Sequence, residues 1–153
     1  MKEQLIEAWK TANRMNLLLA EELSEDDLGK TLSPRGRTIY QQFVHLHNTR
    51  LQWLETASAG IFKRYNPLDK EAPLNKLALK TALEASGRAI EELINESWEN
   101  GGKVKSFKKG LIPFISYLIA HEAHHRGGAM LTLKQSGVKT PDKLKWGLWE
   151  WNK

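Results

Sequence analysis

A chain of 153 residues with a formal net charge of +5 and no cysteine has the size of one domain, and a domain of this length buries roughly 70% of the surface its unfolded chain exposes. Without thiols, disulfides, thiolate zinc sites, iron–sulfur clusters and a cysteine nucleophile are all excluded. The positive charge invites a nucleic-acid reading, but the lysines are scattered among acids except at Lys103, Lys105, Lys108 and Lys109. A solvated connection accounts for that cluster, no nucleic-acid motif accompanies it, and no nucleic-acid partner is expected.

The first ten residues, MKEQLIEAWK, lack the apolar core of a signal peptide, and no uncharged run reaches the roughly 18 residues of a membrane span. The expectation is a cytoplasmic protein with no membrane partner. Segment one runs from about Lys2 to Glu22, with Leu5, Trp9, Ala12, Asn16 and Leu19 recurring at helical spacing. Ser24 to Asp27, Gly29 and Ser33-Pro34-Arg35-Gly36 break it. Segment two opens at Thr38, which forms a capping box with Gln41, and continues to about Gly60 with Ile39, Phe43, Leu46, Trp53, Leu54 and Ala57 on one stripe. A connector with Pro67 and Pro73 follows, long enough for a crossover between the second and third helices.

Segment three spans about Leu74 to Trp98 in strong helix formers, with Gly87 its weak point, and Asn100-Gly101-Gly102 ends it. Segment four begins near Pro113, a residue tolerated in a first helical turn, and stops at Gly137. No segment alternates with the period of a strand. The fold expected is all-α: one domain over residues 1–153, a four-helix bundle with a short Trp-rich C-terminal tail that packs on the bundle or caps a partner subunit.

All five histidines fall in segments two and four: His45 and His47, then His121, His124 and His125. Residues four apart on a helix lie on neighbouring turns of one face, so His121 and His125 can aim at a common point, and a histidine of segment two would supply a third imidazole. Three neutral imidazoles suit zinc, nickel, copper or iron(II) and disfavour calcium and magnesium. Zinc is the default occupant, with nickel or iron the other candidates. Periodicity by itself favours His47 over His45, because His47 lies nearer the apolar stripe; His124 is an alternative to His125.

His121-Glu122-Ala123-His124-His125 also satisfies the His-Glu-x-x-His pattern of zinc proteases. No histidine follows it and no strand is available to align a peptide, so Glu122 reads more simply as a solvent-facing acid. A di-iron bundle would need Glu-x-x-His on two helices, and segment two carries Gln42 where the second carboxylate would stand.

Two stretches resemble the DinB-like family over nearly the whole chain. One is Gly36-Arg37-Thr38 leading to His45 in the run Val44-His45-Leu46-His47-Asn48-Thr49-Arg50-Leu51-Gln52-Trp53; the other is His121 to Gly127. The resemblance implies a metal site of His45, His121 and His125 in an open cleft, against the periodicity argument for His47. Family members often carry glutamine where Gly128 stands here, so any role of that amide is not carried over.

The resemblance further implies a metal-dependent transferase or hydrolase acting on a small molecule, using an external thiol of the bacillithiol, mycothiol or glutathione kind. His47, His124, Tyr117 and Arg126 are candidate proton shuttles or anion anchors that the sequence does not rank. The alternative is a non-catalytic metal-binding bundle that forms a homodimer through exposed apolar faces.

Overall fold

The computed structural model describes residues Met1–Lys153. Four long helices dominate it: α1 (Lys2–Glu22), α3 (Ile39–Ala57), α5 (Lys76–Glu99) and α6 (Leu111–Gln135). Three short ones lie between or after them: α2 (Glu25–Leu28), α4 (Ala59–Phe62) and α7 (Asp142–Gly147). There are no strands, as the periodicity requires, and no helix is long and apolar enough to cross a membrane.

Local chemistry sets the ends of these helices. At α3 the expected capping box forms: Thr38 Oγ1 accepts from the Gln41 backbone N–H at 3.1 Å and Gln41 Oε1 accepts from the Thr38 N–H at 3.0 Å. A second box, Ser24 with Asp27, starts α2 inside the stretch expected only to interrupt. Segment two stops short of Gly60 because Ser58 leaves the helical region at φ −150°, ψ 86°, and α4 follows as a separate turn. Segment four starts two residues before Pro113, at Leu111, behind Gly110 at φ 86°, a conformation glycine adopts without strain.

The core divides into two apolar clusters stacked along the bundle. One gathers the C-terminal parts of α1 and α6 with the N-terminal parts of α3 and α5, including Leu19, Phe43, Leu79 and Leu133. The other gathers the opposite ends, including Trp9, Leu54, Ile90 and Phe114. This pairing makes α1 and α6 run one way and α3 and α5 the other: an up-down-down-up bundle, with the connector of residues 63–75 as the crossover.

That connector lies back along α3 and is held there by polar contacts. Asn48 Nδ2 donates to Leu68 O at 2.8 Å and Asn48 Oδ1 accepts from the Leu68 N–H at 2.9 Å. The ring nitrogens of His47 lie 3.0 Å from Asn66 O and 3.1 Å from Ala82 O.

Between the two apolar clusters sits a polar layer, to which each long helix contributes: Asn13 and Asn16 from α1, Arg50 from α3, Ser86 from α5, Glu122 and Arg126 from α6, all buried. Helices α1 and α5 approach closely here, for a Cβ on Gly87 would stand 2.3 Å from Asn13 Nδ2. Asn13 cannot simply swing away, because its Oδ1 accepts from Arg50 Nη2 at 2.8 Å. Gly87→Ala is therefore expected to destabilise the protein by about 1–3 kcal/mol. Gly60→Ala, with nothing within 4 Å of the added carbon, is expected to be neutral or to stabilise by about 0.4–1 kcal/mol. Urea denaturation of the two variants measures the contrast.

Candidate metal centre

The rotation of α6 is set by its one inward acid. Glu122 is 1% exposed, contrary to the expectation of a solvent-facing side chain, because Arg50 of α3 meets it inside the bundle. Arg50 Nε donates to Glu122 Oε1 at 2.7 Å and Nη2 to Oε2 at 2.9 Å, a bidentate pair in which both residues are essentially inaccessible. Asn16 Nδ2 adds a third bond to Oε2 at 2.7 Å. The remaining Arg50 donors reach Leu83 O at 3.0 Å and Ser86 Oγ at 3.1 Å, and the guanidinium lies over Trp9. A carboxylate so engaged cannot serve as the general base of a zinc protease, and the His-Glu-x-x-His match is a coincidence of spacing.

With Glu122 turned inward, His121 and His125 emerge on the side of α6 that faces α3, where His45 meets them. The ring centroids lie 5.4 Å apart for His45 and His121, 4.9 Å for His45 and His125, and 4.8 Å for His121 and His125. One nitrogen from each ring lies within 4.8 Å of those of the other two, so the three could hold a single metal ion. All three rings are half-buried.

His47, the choice that periodicity favoured, is 2% exposed and points to the crossover instead. Proximity to the apolar stripe correctly indicated burial, but burial here serves the connector. His124 is exposed, its ring 5.4 Å from that of His125.

The electrostatics suit a cation. Burial holds the pKa of His45, His121 and His125 below the usual imidazole value, helped at His45 by the Arg37 guanidinium and at His125 by the neighbouring histidines; His125 is lowered to about 4. The rings are thus neutral near pH 7, the form in which imidazole ligates. The Nδ1 of His121 is buried without a hydrogen-bond partner, an orphaned atom of the kind that calls for a ligand.

His125 Nδ1 lies 3.4 Å from Gln42 Oε1, which sets the Nδ1–H as donor and leaves Nε2 for coordination. Gly128 makes room for this contact, since a Cβ there would stand 3.1 Å from the same oxygen. Gln42 was read from the sequence only as a missing carboxylate.

Two clefts meet at His45. One, of about 630 Å³, is lined chiefly by polar and charged side chains, among them Arg35, Arg37, Lys70, Gln41 and Asn48. The other, of about 530 Å³, lies toward Thr49, Trp53, Tyr117 and His121. Its aromatic wall is continuous: Trp53 packs edge-on to Phe114 and Tyr117, and Tyr117 stacks on His121 at 6.0 Å. Thr49 Oγ1 is buried in this second cleft without a partner.

The DinB family model matches residues 1–146. The chain belongs to the DinB family. The crystal structure of a DinB-like protein from Bacillus cereus ATCC 10987 superposes on this DinB chain with a TM-score of 0.69 at 17% sequence identity, covering 91% of this chain and 95% of the other. That likeness carries the fold. No curated protein matches this DinB-family sequence.

Glu122→Gln leaves Arg50 buried with no opposite charge and is expected to cost about 3–5 kcal/mol of stability, read by chemical denaturation. In metal-free protein, the unfolded chain binds protons at its histidines as the pH falls below about 6.5, while the folded triad stays neutral until its depressed values are reached, about 4 for His125. Stability contributed by the triad is therefore full above pH about 6.5 and declines between there and about 4. Thermal unfolding against pH should show this slope, and His125→Gln should flatten it.

Proposed function

We propose that this DinB-family protein binds one divalent transition metal through His45, His121 and His125 and uses it to activate a small molecule. The observation that carries the reading is the convergence of three neutral imidazoles, with no fourth histidine or carboxylate in the group, where two clefts open beside them. A structural metal is ordinarily closed by four protein ligands, whereas three leave a coordination position for chemistry. Zinc is the first candidate, with nickel or iron(II) next, on the donor set alone. When bound, such an ion supplies Lewis acidity, lowering the pKa of a water or an external thiol that reaches its open position.

The chain's own residues would divide the remaining work. Arg35, Arg37 and Lys70 outnumber the single acid of the polar cleft, Glu71, and favour the anionic part of a substrate or low-molecular-weight thiol. Trp53 and Tyr117 offer an aromatic wall to its apolar part, and the unpartnered Thr49 hydroxyl lines the same cleft. Gln42 orients His125. The absence of cysteine means that any sulfur nucleophile comes from outside the protein.

Elemental analysis of purified protein is expected to give about one transition-metal ion per chain, reduced at least about tenfold by His45→Ala or His125→Ala. His47→Ala should lower stability and retain the ion. Loss of metal in His47→Ala with retention in His45→Ala would reverse the ligand assignment. A panel of small thiols assayed with an electrophile should show metal-dependent conjugation that Arg37→Ala weakens mainly through KM; no turnover with any thiol would leave a metal-binding bundle without this chemistry.

A further inference from the structure

The side of α6 turned away from the triad carries a second cavity. It measures about 500 Å³ and lies between α6, Met15 of α1 and the segment after α7, within the range of small-molecule sites, about 300–1,000 Å³. Its walls are mainly apolar, with Ile119, Met130, Leu148, Trp149 and Trp151, and no acid lines it. The segment over it is tied down at its edges rather than packed flat. Arg14 Nη2 donates to Glu150 O at 2.8 Å, Lys143 pairs with Glu22 at 2.6 Å, and Leu144 is buried in the core. Trp149 stays 78% exposed and Trp151 46% exposed.

Arg126 lines this apolar cavity, and it is only 8% exposed. Its hydrogen bonds all run from Nη1, to Asn16 Oδ1 at 2.8 Å and Ala12 O at 3.4 Å, and both acceptors are neutral. The acid one turn away, Glu122, is engaged by Arg50 and Asn16. The buried layer therefore holds two guanidiniums against one carboxylate, and the second cation has no anionic partner. Burying an uncompensated charge is unfavourable. The Nε and Nη2 edge, which makes no hydrogen bond within the protein, has the planar fork that matches a carboxylate. Lys145 adds a second positive charge to the lining.

We propose that this cavity is a second binding site, separate from the histidine triad, for a small apolar molecule carrying one carboxylate: the carboxylate pairs with Arg126 and the apolar body lies against Trp149 and Trp151.

Calorimetric titration of the full-length protein with naphthoate and with naphthamide, its uncharged analogue of the same shape, tests the proposal. Naphthoate is expected to bind once per chain and shift the indole N–H resonances of Trp149 and Trp151, with naphthamide weaker by about tenfold or more, the usual scale for a charge-assisted contact. Arg126→Met should remove the preference for the acid. Because that variant also disturbs Asn16, Ala123→Trp provides an independent check: it fills the cavity from the exposed side of α6 and should abolish binding. Equal binding of acid and amide, absence of binding to the wild-type protein, or full binding to Ala123→Trp would each overturn the proposal. So would self-association that buries Trp149 and Trp151 and that naphthoate does not reverse, which would make this face a contact between copies of the chain.

Discussion

The bidentate pair between Arg50 and Glu122 is the constraint around which the bundle is arranged. A charged pair removed from water is tolerated only when its geometry is good and its spare donors and acceptors are met, and here both helices of the pair and both of their neighbours supply partners. An apolar core accepts small rotations and slips of its helices at modest cost. The Arg50–Glu122 pair, whose donors are all met in a low-dielectric layer, does not, because any slip strands a charge. The pair thus fixes the height and phase of α3 against α6, and with them the positions of His45, His121 and His125, each within about a turn and a half of Arg50 or Glu122 on its own helix.

Helix α6 shows how much one rotation decides. Its residues at 118, 122, 126, 129 and 133 face the interior and are buried. His121 and His125 lie to one side of that stripe, and Ile119, Ala123, Gly127 and Met130 lie to the other, against the second cavity. A helix with three occupied sides has little contrast between faces, so α6 is only weakly amphipathic despite being the longest in the fold.

The histidines occupy an intermediate depth that matches their chemistry. Were they fully exposed, protons would compete with a metal near neutral pH; were they fully buried, no substrate could approach. Half-buried rings are desolvated enough to remain neutral, and two of them still border open space, His45 on both clefts and His121 on the aromatic one. The arginine content of the surroundings acts in the same direction, since Arg37 opposes protonation of the triad while giving the polar cleft its positive character.

Helical periodicity and breaker residues were enough to read four long helices, their boundaries to within a few residues, the capping box at Thr38 and Gln41, and the all-α class, because these depend on near neighbours in the chain. The grouping of five histidines on two helices was legible for the same reason, as was the possibility of a crossover. The choice of His45 over His47 was legible only through the family resemblance: periodicity favoured His47 as nearer the apolar stripe, and it does not show that the crossover takes up that ring at Asn66 O. The burial of Glu122 was not legible: Arg50 and Glu122 each stand where a stripe of apolar residues calls for one more, a signal that becomes readable only when the two are known to face each other. Which polar side chains meet across the bundle depends on helix direction and rotation. Those are set by contacts between residues far apart in the chain, and so the tertiary structure alone decided how the site is built.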